Sequence, residues 1–344
     1  MLKRVMSPVG GAVLALTFVQ MLGAADGYRV LQRIPIPGDT GWDYITADTG
    51  GRRLYVPHGI EVVVLDLDSG ATVGTIEGLR GVHGVAVASD VRRGFISATD
   101  PGSVTIFDLK TLAVIQKVRV GDDPNGIVYD PSTHRVFSAD RGSKRVTAID
   151  ARTGRIVATT GDLAGRTEHL AADGRGHVFL NMQDRGTMLR LDAGDLKVLD
   201  TWPLEGCGQP SSMDIDRAHR RVFVGCRSGE LAVVDADSGR IVATQPIGPG
   251  VDALEFDPAA GRIYVSTGGD GVLSIFHEDG PDKYAVVEHV NTLRGARTMA
   301  LDHRTGRVYL PAADMGAPPA PTPENPRPRP RMVPGSFSVL VVGP

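Results

Sequence analysis

The sequence predicts an all-β fold, a seven-bladed β-propeller built from four-stranded antiparallel blades. Three observations predict it: a repeat of 40–45 residues, four strand-like runs in each repeat, and chain ends that complement each other. Four strands per unit at this period are typical of a propeller blade. The 43 glycines and 23 prolines fit the many tight turns that such blades need.

The clearest copy of the repeat runs from residue 125 to residue 163. Its four strand-like runs are an apolar run, a run that ends on Phe137, the alternating KRVTAID, and RIVATT, and they lack the 3.6-residue spacing of helical repeats. Turn-forming residues separate the runs at Asp130–Ser132, Asp140–Gly142 and Arg152–Gly154. The unit therefore predicts four short strands joined by tight turns.

Two independent sequence anchors share this period. An aromatic residue follows the basic start of each second strand: Tyr55, Phe95, Phe137, Phe179, Phe223, Tyr264 and Tyr309. A second anchor ends the third strand: Asp66, Asp108, Asp150, Asp192, Asp235 and, in the sixth copy, His277. Because both anchors keep the same spacing, they predict seven blades.

The two ends of the repeat region predict a closed ring. The first strand-like run, Tyr28–Gly38, matches a fourth strand, whereas the last run, Ser336–Gly343, matches a third strand that lacks a fourth. Pairing them completes blade seven and removes exposed sheet edges. We therefore expect one propeller domain over residues 26–344.

Units such as GVDALEFDPAAGRIYVSTGGDGVLSIF, at residues 250–276, resemble the YVTN-type propeller repeat family, and in particular its exported YncE-like members. The resemblance covers about residues 28–343 and implies the seven-bladed fold. For function it implies several expectations, because the family includes uncharacterised binding proteins and one DNA-binding member. Related seven-bladed propellers include lactonases and lyases, and a shared fold does not carry an activity with it.

Residues 1–25 have the pattern of a signal peptide. Lys3 and Arg4 form a basic start, Val9–Leu22 is apolar, and small residues follow up to Ala25. The apolar stretch is too short to span a bilayer comfortably. We therefore expect a cleaved signal peptide, a periplasmic or secreted protein, a mature chain without a membrane span, and a monomer.

The repeat also predicts which side chains share a face. The loops that enter first strands and leave second strands meet at one end of the ring, called the top face below. Seven polar residues open the first strands there: Asp43, His83, Asn125, Thr167, Ser211, Asp252 and Arg297. Most neighbouring core positions are aliphatic, and we expect the exception, His169, to be a buried histidine with satisfied hydrogen bonds.

The channel mouth on the top face is the predicted binding site. The candidate ligand-binding residues are Asp43, His58, His83, Asn125, Glu168, Asn181, Asp252 and Arg297. Arg297 has the planar donor fork that recognises a carboxylate. His58, His83 and Glu168 are the candidate ligands for a possible divalent metal, or acid–base groups of a metal-assisted lactonase or lyase. The alternative is a polar rim that only holds water, and no catalytic motif of a known enzyme class is present.

Two further features distinguish individual blades. Cys207 and Cys226 lie 19 positions apart on the top side of blade five, and an oxidising compartment favours a disulfide between them over a metal or redox pair. Residues 316–335 insert eight prolines into blade seven. Such a segment is expected to run as polyproline II outside the sheet, as a spacer, a lid or a docking strand.

Composition weighs against nucleic acid as a partner. The formal charge is −3, aromatic residues make up 5% of the chain, and the arginines of the second-strand hairpins alternate with aspartates. The sequence thus predicts an exported propeller whose mouth binds a small molecule or a protein, with no confident cofactor. A metal-assisted lactonase or lyase and a DNA-binding propeller are the alternatives, and whether the protein is an enzyme stays open.

Overall fold

The computed structural model describes residues 27–320, 322, 328 and 330–344. The predicted signal peptide, residues 1–25, lies outside the described residues, as does part of the proline-rich segment. Among the described residues, no helix is long and apolar enough to cross a membrane. A single turn of 3₁₀ helix, Ser89–Val91, is the one helix in the described ranges.

Seven four-stranded antiparallel sheets form the ring, as predicted. The strands of blades one to four are β2 Thr46–Asp48, β3 Arg53–His58, β4 Glu61–Asp66, β5 Thr72–Ile76, β6 Val82–Ala88, β7 Arg93–Ala98, β8 Ser103–Asp108, β9 Val114–Arg119, β10 Pro124–Asp130, β11 Arg135–Asp140, β12 Arg145–Asp150, β13 Ile156–Thr159, β14 Thr167–Ala172, β15 His177–Met182, β16 Thr187–Asp192 and β17 Val198–Pro203. The strands of blades five to seven are β18 Pro210–Asp216, β19 Arg221–Cys226, β20 Glu230–Asp235, β21 Ile241–Pro246, β22 Val251–Asp257, β23 Arg262–Thr267, β24 Val272–Gly280, β25 Lys283–Asn291, β26 Ala300–Asp302, β27 Arg307–Ala312, β28 Ser338–Gly343 and, completing blade seven, β1 Arg29–Pro35.

The N-terminal strand closes the ring. β1 pairs antiparallel with β28, with Arg33 opposite Leu340 and Ile34 opposite Val339. Arg33 Nε also donates a hydrogen bond to Ser338 Oγ at 2.7 Å. The predicted closure is confirmed, and the last sheet has no unpaired third strand.

The two sequence anchors have different physical roles. The seven second-strand aromatics are buried and pack between neighbouring blades; Phe179 of blade four, for example, lies in one cluster with Val222 and Val224 of blade five. The third-strand aspartates cap turns: Asp66 Oδ1 accepts hydrogen bonds from Ser69 N at 2.8 Å and Ser69 Oγ at 2.7 Å. The aromatic anchor thus fills the space between neighbouring blades, and the aspartate anchor stabilises the turn after the third strand.

Blade six departs from the repeat at this turn. Its third strand has His277 in place of the aspartate, so the capped turn is absent and β24 continues to Gly280. The hairpin with β25 is correspondingly long, nine residues in each strand. This extension carries Glu278 toward blade five.

The predicted disulfide is present. Cys207, in the loop before β18, is bonded to Cys226 at the end of β19, with their Cα atoms 5.1 Å apart. Both residues are buried. The bond therefore ties the loop that enters blade five to that blade's second strand.

The proline-rich segment joins β27 to β28. Its described residues form no strand, and the backbone contact nearby is an isolated bridge between Met315 and Met332. Gly335 N donates a hydrogen bond to Asp39 Oδ1 at 2.6 Å. The described part of the segment therefore lies beside blade seven and outside its sheet.

Candidate functional site

Polar side chains from all seven blades meet at the top-face end of the central channel. Two repeat positions supply most of them: the residue that opens a first strand, and the residue four beyond each second-strand aromatic. We call the following residues the mouth: Asp43, Tyr44, His83, Asp123, Asn125, Arg141, Glu168, Arg227, Asp252 and Arg297.

One half of the mouth is a chain of alternating charges. His83 Nδ1 lies 2.6 Å from Asp43 Oδ2, and His83 Nε2 lies 2.7 Å from Thr99 Oγ1 and 3.4 Å from Asp123 Oδ1. Arg141 Nε donates to Asp123 Oδ2 at 2.6 Å. Burial lowers the pKa of His83, but the carboxylates of Asp123 and Asp43 outweigh burial and raise it to about 9. His83 is therefore an imidazolium cation at neutral pH.

The other half holds two arginines on one carboxylate. Arg227 Nη2 donates to Asp252 Oδ1, and Arg297 Nε donates to Asp252 Oδ2 at 3.0 Å. Ser211 Oγ adds a hydrogen bond at 2.7 Å to the first oxygen. Burial raises the pKa of Asp252, but the two guanidinium groups more than offset it and lower the pKa overall. This cluster carries two positive charges and one negative charge.

The two arginines keep donors available to solvent. Their side chains are 37% and 36% exposed, whereas Asp252 is 7% exposed. Arg297 is held over the Trp42 ring at 5.8 Å and donates Nη2 to Trp42 O at 3.1 Å. Among the described residues, neither arginine has a hydrogen-bond partner at Nη1. Two oriented guanidinium groups with unpaired donors suit an oxyanion.

Glu168 is a buried carboxyl group between these halves. Its side chain is 3% exposed, and Oε1 accepts long hydrogen bonds from Tyr44 Oη and Asn125 Nδ2, both at 3.4 Å. Burial, with a smaller contribution from Asp252, raises the pKa of Glu168 to about 7. Glu168 Oε2 and Asn125 Oδ1 are buried and have no hydrogen-bond partner among the described residues.

A channel of about 270 Å³ lies beneath the mouth. Tyr44 and His169 face its upper end, with their rings 5.2 Å apart. The expectation for His169 is corrected in one respect: Nδ1 has no hydrogen-bond partner among the described residues, because the ring faces the channel and not a polar core. Burial lowers the pKa of His169 to about 4, so the ring is neutral. Asp214 and Glu255 line the same channel, and burial raises the pKa of each.

Two of the sequence-predicted residues lie away from the mouth. His58 is buried and stacks on Phe337 with ring centroids 4.4 Å apart; its Nδ1 lies 3.8 Å from Glu61, and burial lowers its pKa. Asn181 is buried and donates Nδ2 to Ser212 O at 3.1 Å, a contact that ties blade four to blade five. The structure brings together the other six: Asp43, His83, Asn125, Glu168, Asp252 and Arg297.

The candidate metal ligands His58, His83 and Glu168 do not share one site. His58 stacks within the apolar core of blades one and seven, and both nitrogens of His83 face oxygen partners on protein side chains. Among the described residues, the one group of three or more His, Cys, Asp or Glu side chains with metal-ligand spacing is Asp216, His219 and Glu278, on the opposite face. The donor geometry thus disfavours a metal at the mouth.

Sequence reasoning missed Tyr44, Asp123, Arg141 and Arg227. The two arginines occupy the position four beyond the second-strand aromatic, where the other blades have Gly59, Thr99, Gln183, Gly268 and Ala313. Comparing that position across the seven copies finds both arginines, just as comparing the first-strand openers found Asp252 and Arg297. Tyr44 has no such signal, because a tyrosine after a first-strand opener is equally compatible with the core.

On the opposite face, Arg52, Arg220 and Arg221 pair with acids, and Arg53, Arg93 and Arg135 donate to backbone carbonyl groups. Arg52 bridges Asp302 at 2.8 Å and Asp68 at 2.7 Å, and Arg220 bridges Asp173 at 2.9 Å and Asp237 at 2.7 Å. These paired charges differ from the unpaired basic surface that tracks a phosphate backbone.

Fold and mouth together define a seven-bladed propeller of the repeat class, with a charged pocket at one end of its channel. The family described as outer membrane protein assembly factor BamB (PQQ_2) matches residues 61–249. The match covers more than half of the chain, which therefore belongs to this family of propeller proteins.

A relative of known sequence places the chain near the YncE-like propellers. It is 22% identical over 192 residues to the uncharacterized protein YncE of Salmonella typhimurium. The match covers 54% of this chain and 53% of that protein, so it spans about half the length of this curated relative. The predicted resemblance to YncE-like propellers is confirmed.

Solved structures of similar shape show the fold alone. One chain of the hydrazine synthase of Kuenenia stuttgartiensis superposes with a TM-score of 0.69 at 15% identity, covering 80% of this chain and 94% of that one. The WD40 repeats of RRP9 superpose with a TM-score of 0.75 at 11% identity, covering 93% and 98%. At such low identity the likeness does not extend to function.

Proposed function

We propose that this protein is an exported binding propeller whose mouth holds a small anionic molecule, such as a carboxylate or a phosphate. The observation that carries the proposal is the Arg227–Asp252–Arg297 cluster. One buried carboxylate fixes two guanidinium groups that are each about a third exposed and retain donors without a partner among the described residues. An oxyanion bound there would receive charge-assisted hydrogen bonds from groups already in position.

The net charge of the mouth favours the binding of an anion. Arg141, His83 and their two aspartates balance, the arginine cluster contributes one net positive charge, and Glu168 is about half protonated near pH 7. The ten mouth residues are therefore net positive below that pH and near neutral above it, and Arg166, whose Nε lies 3.7 Å from Glu168 Oε2, adds a further positive charge. Anion binding should weaken as the pH rises through the pKa of Glu168.

The unpaired acceptors narrow the ligand class. Among the described residues, Glu168 Oε2 and Asn125 Oδ1 are buried without a hydrogen-bond partner, with Arg166 Nε 3.7 Å from the Glu168 oxygen, and a buried acceptor without a hydrogen bond costs about 1–3 kcal/mol. A ligand that also carries a hydroxyl, amine or amide group would satisfy them. The ligand that we propose is accordingly a small organic acid that carries at least one hydrogen-bond donor.

Isothermal titration calorimetry with citrate, succinate, lactate and inorganic phosphate tests the proposal. Arg227→Gln and Arg297→Gln should each lower the affinity for the best of these probes by about tenfold to a hundredfold, the usual worth of a hydrogen bond to a charged group. Arg80→Gln is the matched control, because Arg80 lies in a top-face loop with its side chain 77% exposed. Equal affinity in the wild type and both mouth variants would overturn the proposal.

A second candidate is an acid–base enzyme of the lactonase or lyase type. Glu168 favours it, because a carboxylic acid whose pKa is about 7 is matched to proton transfer near neutral pH. Turnover of a lactone panel that Glu168→Gln abolishes, with probe affinity retained, would establish this candidate. A metal-assisted version is disfavoured because His58, one of its three candidate ligands, lies in the core away from the mouth.

The family description adds a cellular setting. A family described as outer membrane protein assembly factor supports export and a scaffolding role with a protein partner. The signal-peptide pattern of residues 1–25 agrees with export. DNA is a weaker candidate, because several arginines of the face opposite the mouth are engaged by aspartates or by backbone carbonyl groups.

A further inference from the structure

A histidine and two carboxylates converge between blades five and six on the face opposite the mouth, which we call the lower face. His219 Nδ1 lies 2.7 Å from Asp216 Oδ2 and 3.4 Å from Glu278 Oε1, and the three donor atoms all lie within 4.8 Å of one another. We propose that Asp216, His219 and Glu278 form a binding site for a first-row divalent cation of the zinc type. This site is separate from the mouth and independent of its proposed ligand.

The equivalent position of the repeat holds an arginine paired with an acid in blades one and five, and a glycine in blades four, six and seven. In two other blades, an arginine three residues before the second-strand aromatic reaches an acid near the end of the preceding blade's first strand. Arg52 reaches Asp302, and Arg220 reaches Asp173, at 2.8 and 2.9 Å. Blade six has Gly261 at that position, in the same left-handed conformation (φ 59°). Asp216 therefore lacks an arginine like those that neutralise Asp302 and Asp173.

The long hairpin of blade six adds a second acid at this place. β24 continues past His277 and brings Glu278 within reach of His219. The side chains of Asp216 and Glu278 are 3% and 5% exposed, so two buried carboxylates lie beside one half-exposed histidine. Tyr284 Oη donates to Glu278 Oε1 at 3.3 Å. His219 can carry at most one positive charge, which is not enough to balance two buried carboxylates. This arrangement favours a bound divalent cation.

The donor set selects the type of cation. One imidazole nitrogen and two carboxylate oxygens suit zinc and its first-row neighbours, whereas calcium and magnesium prefer more oxygen ligands. Donors around a zinc ion lie about 3.4 Å apart when the bonds are about 2.0–2.1 Å long. Small side-chain movements reach that spacing from the present distances. His219 is 51% exposed, which leaves a route for the ion and room for water ligands.

The backbone of the site is already fixed. Asp216 Oδ1 accepts a hydrogen bond from Ala218 N at 2.9 Å, and Oδ2 accepts one from His219 N at 3.2 Å. The hairpin that carries His219 is therefore held by the same aspartate that would bind the ion. This is the support that a metal ligand needs from its surroundings.

Titration of the full chain, purified without a polyhistidine tag, with zinc chloride tests the site. We expect one saturable equivalent, and at least tenfold weaker binding in His219→Ala and in Glu278→Gln. His134→Ala is the matched control: His134 Nδ1 lies 2.8 Å from Asp90 Oδ2 on the same face, but no third ligand joins that pair in the described part of the chain. The control should bind zinc as the wild type does.

A second readout guards against variants that only lose stability. Zinc should raise the melting temperature of the wild type and of His134→Ala, and should leave that of Glu278→Gln unchanged. Cobalt should give a ligand-field spectrum that changes when His219 is replaced. No saturable zinc binding, or equal affinity in the His219 and Glu278 variants and the wild type, would overturn the proposal.

Discussion

Replacing Glu168 with glutamine tests the electrostatics of the mouth. The side chain is 3% exposed, and its pKa is raised from 4.5 to about 7, chiefly by burial. Between those two pH values the folded chain binds more protons at this group than the unfolded chain does. Its contribution to the free energy of unfolding is therefore retained at low pH and lost as the pH rises toward and past 7.

The expected size follows from the same pKa values. A tenfold change in proton affinity corresponds to about 1.36 kcal/mol, so ionising Glu168 destabilises the fold by about 2.5 kcal/mol more at about pH 8 than at about pH 5. Glutamine has nearly the same shape and no charge. The stability of Glu168→Gln relative to the wild type should therefore improve by about that amount over this interval.

Chemical denaturation at the two pH values measures the effect. Other titrating groups, including His83, are common to both proteins and cancel in the comparison. Glu205→Gln serves as the control, because it makes the same substitution at an exposed position. Parallel pH profiles for Glu168→Gln and the wild type would refute the description of Glu168 as a buried, largely desolvated acid.

The remaining predictions concern His83, the disulfide and ring closure. Nuclear magnetic resonance should find His83 titrating near pH 9, and Asp43→Asn should lower that value; titration near 6.5 in both proteins would contradict the charge chain. Stability that depends on His83 should be complete below about pH 6.5 and disappear as the pH rises through about 9. Replacing Cys207 and Cys226 with serine should lower the free energy of unfolding by about 3 kcal/mol, measured by chemical denaturation. An unchanged free energy of unfolding would exclude a stabilising crosslink. Deleting residues 28–37 should lower the melting temperature sharply, because blade seven loses its outer strand; an unchanged melt would disprove closure by β1.

The sequence was sufficient to predict the fold because each repeat signal has a local physical cause. An aspartate such as Asp66 recurs since it caps a turn, and an aromatic such as Phe179 recurs since it fills the space between two blades. Complementary chain ends predicted the pairing of β1 with β28. The disulfide followed from two cysteines on one side of one blade.

The site was only partly predictable. Equivalent positions correctly grouped Asp43, His83, Asp252 and Arg297 at one end of the ring. They could not show that His58 turns into the core, because its stacking partner Phe337 is 279 positions away in sequence and follows the proline-rich segment. Such contacts depend on ring closure, which no local pattern encodes.

The lower-face cluster was missed for a different reason. His277 was noted as a departure from the repeated aspartate, but its consequence is a longer hairpin that places Glu278 beside a neighbouring blade. Strand length and twist decide that placement. A substitution in the repeat thus indicated where the blade is unusual without indicating what it would contact.

The position of a bound oxyanion tests the central claim most directly. Crystals of the protein soaked in selenate, whose anomalous scattering locates the ion, should show their strongest anomalous peak between Arg227 and Arg297, and Arg297→Gln should remove it. Peaks confined to exposed arginines elsewhere, with none above Asp252, would contradict an anion-binding mouth.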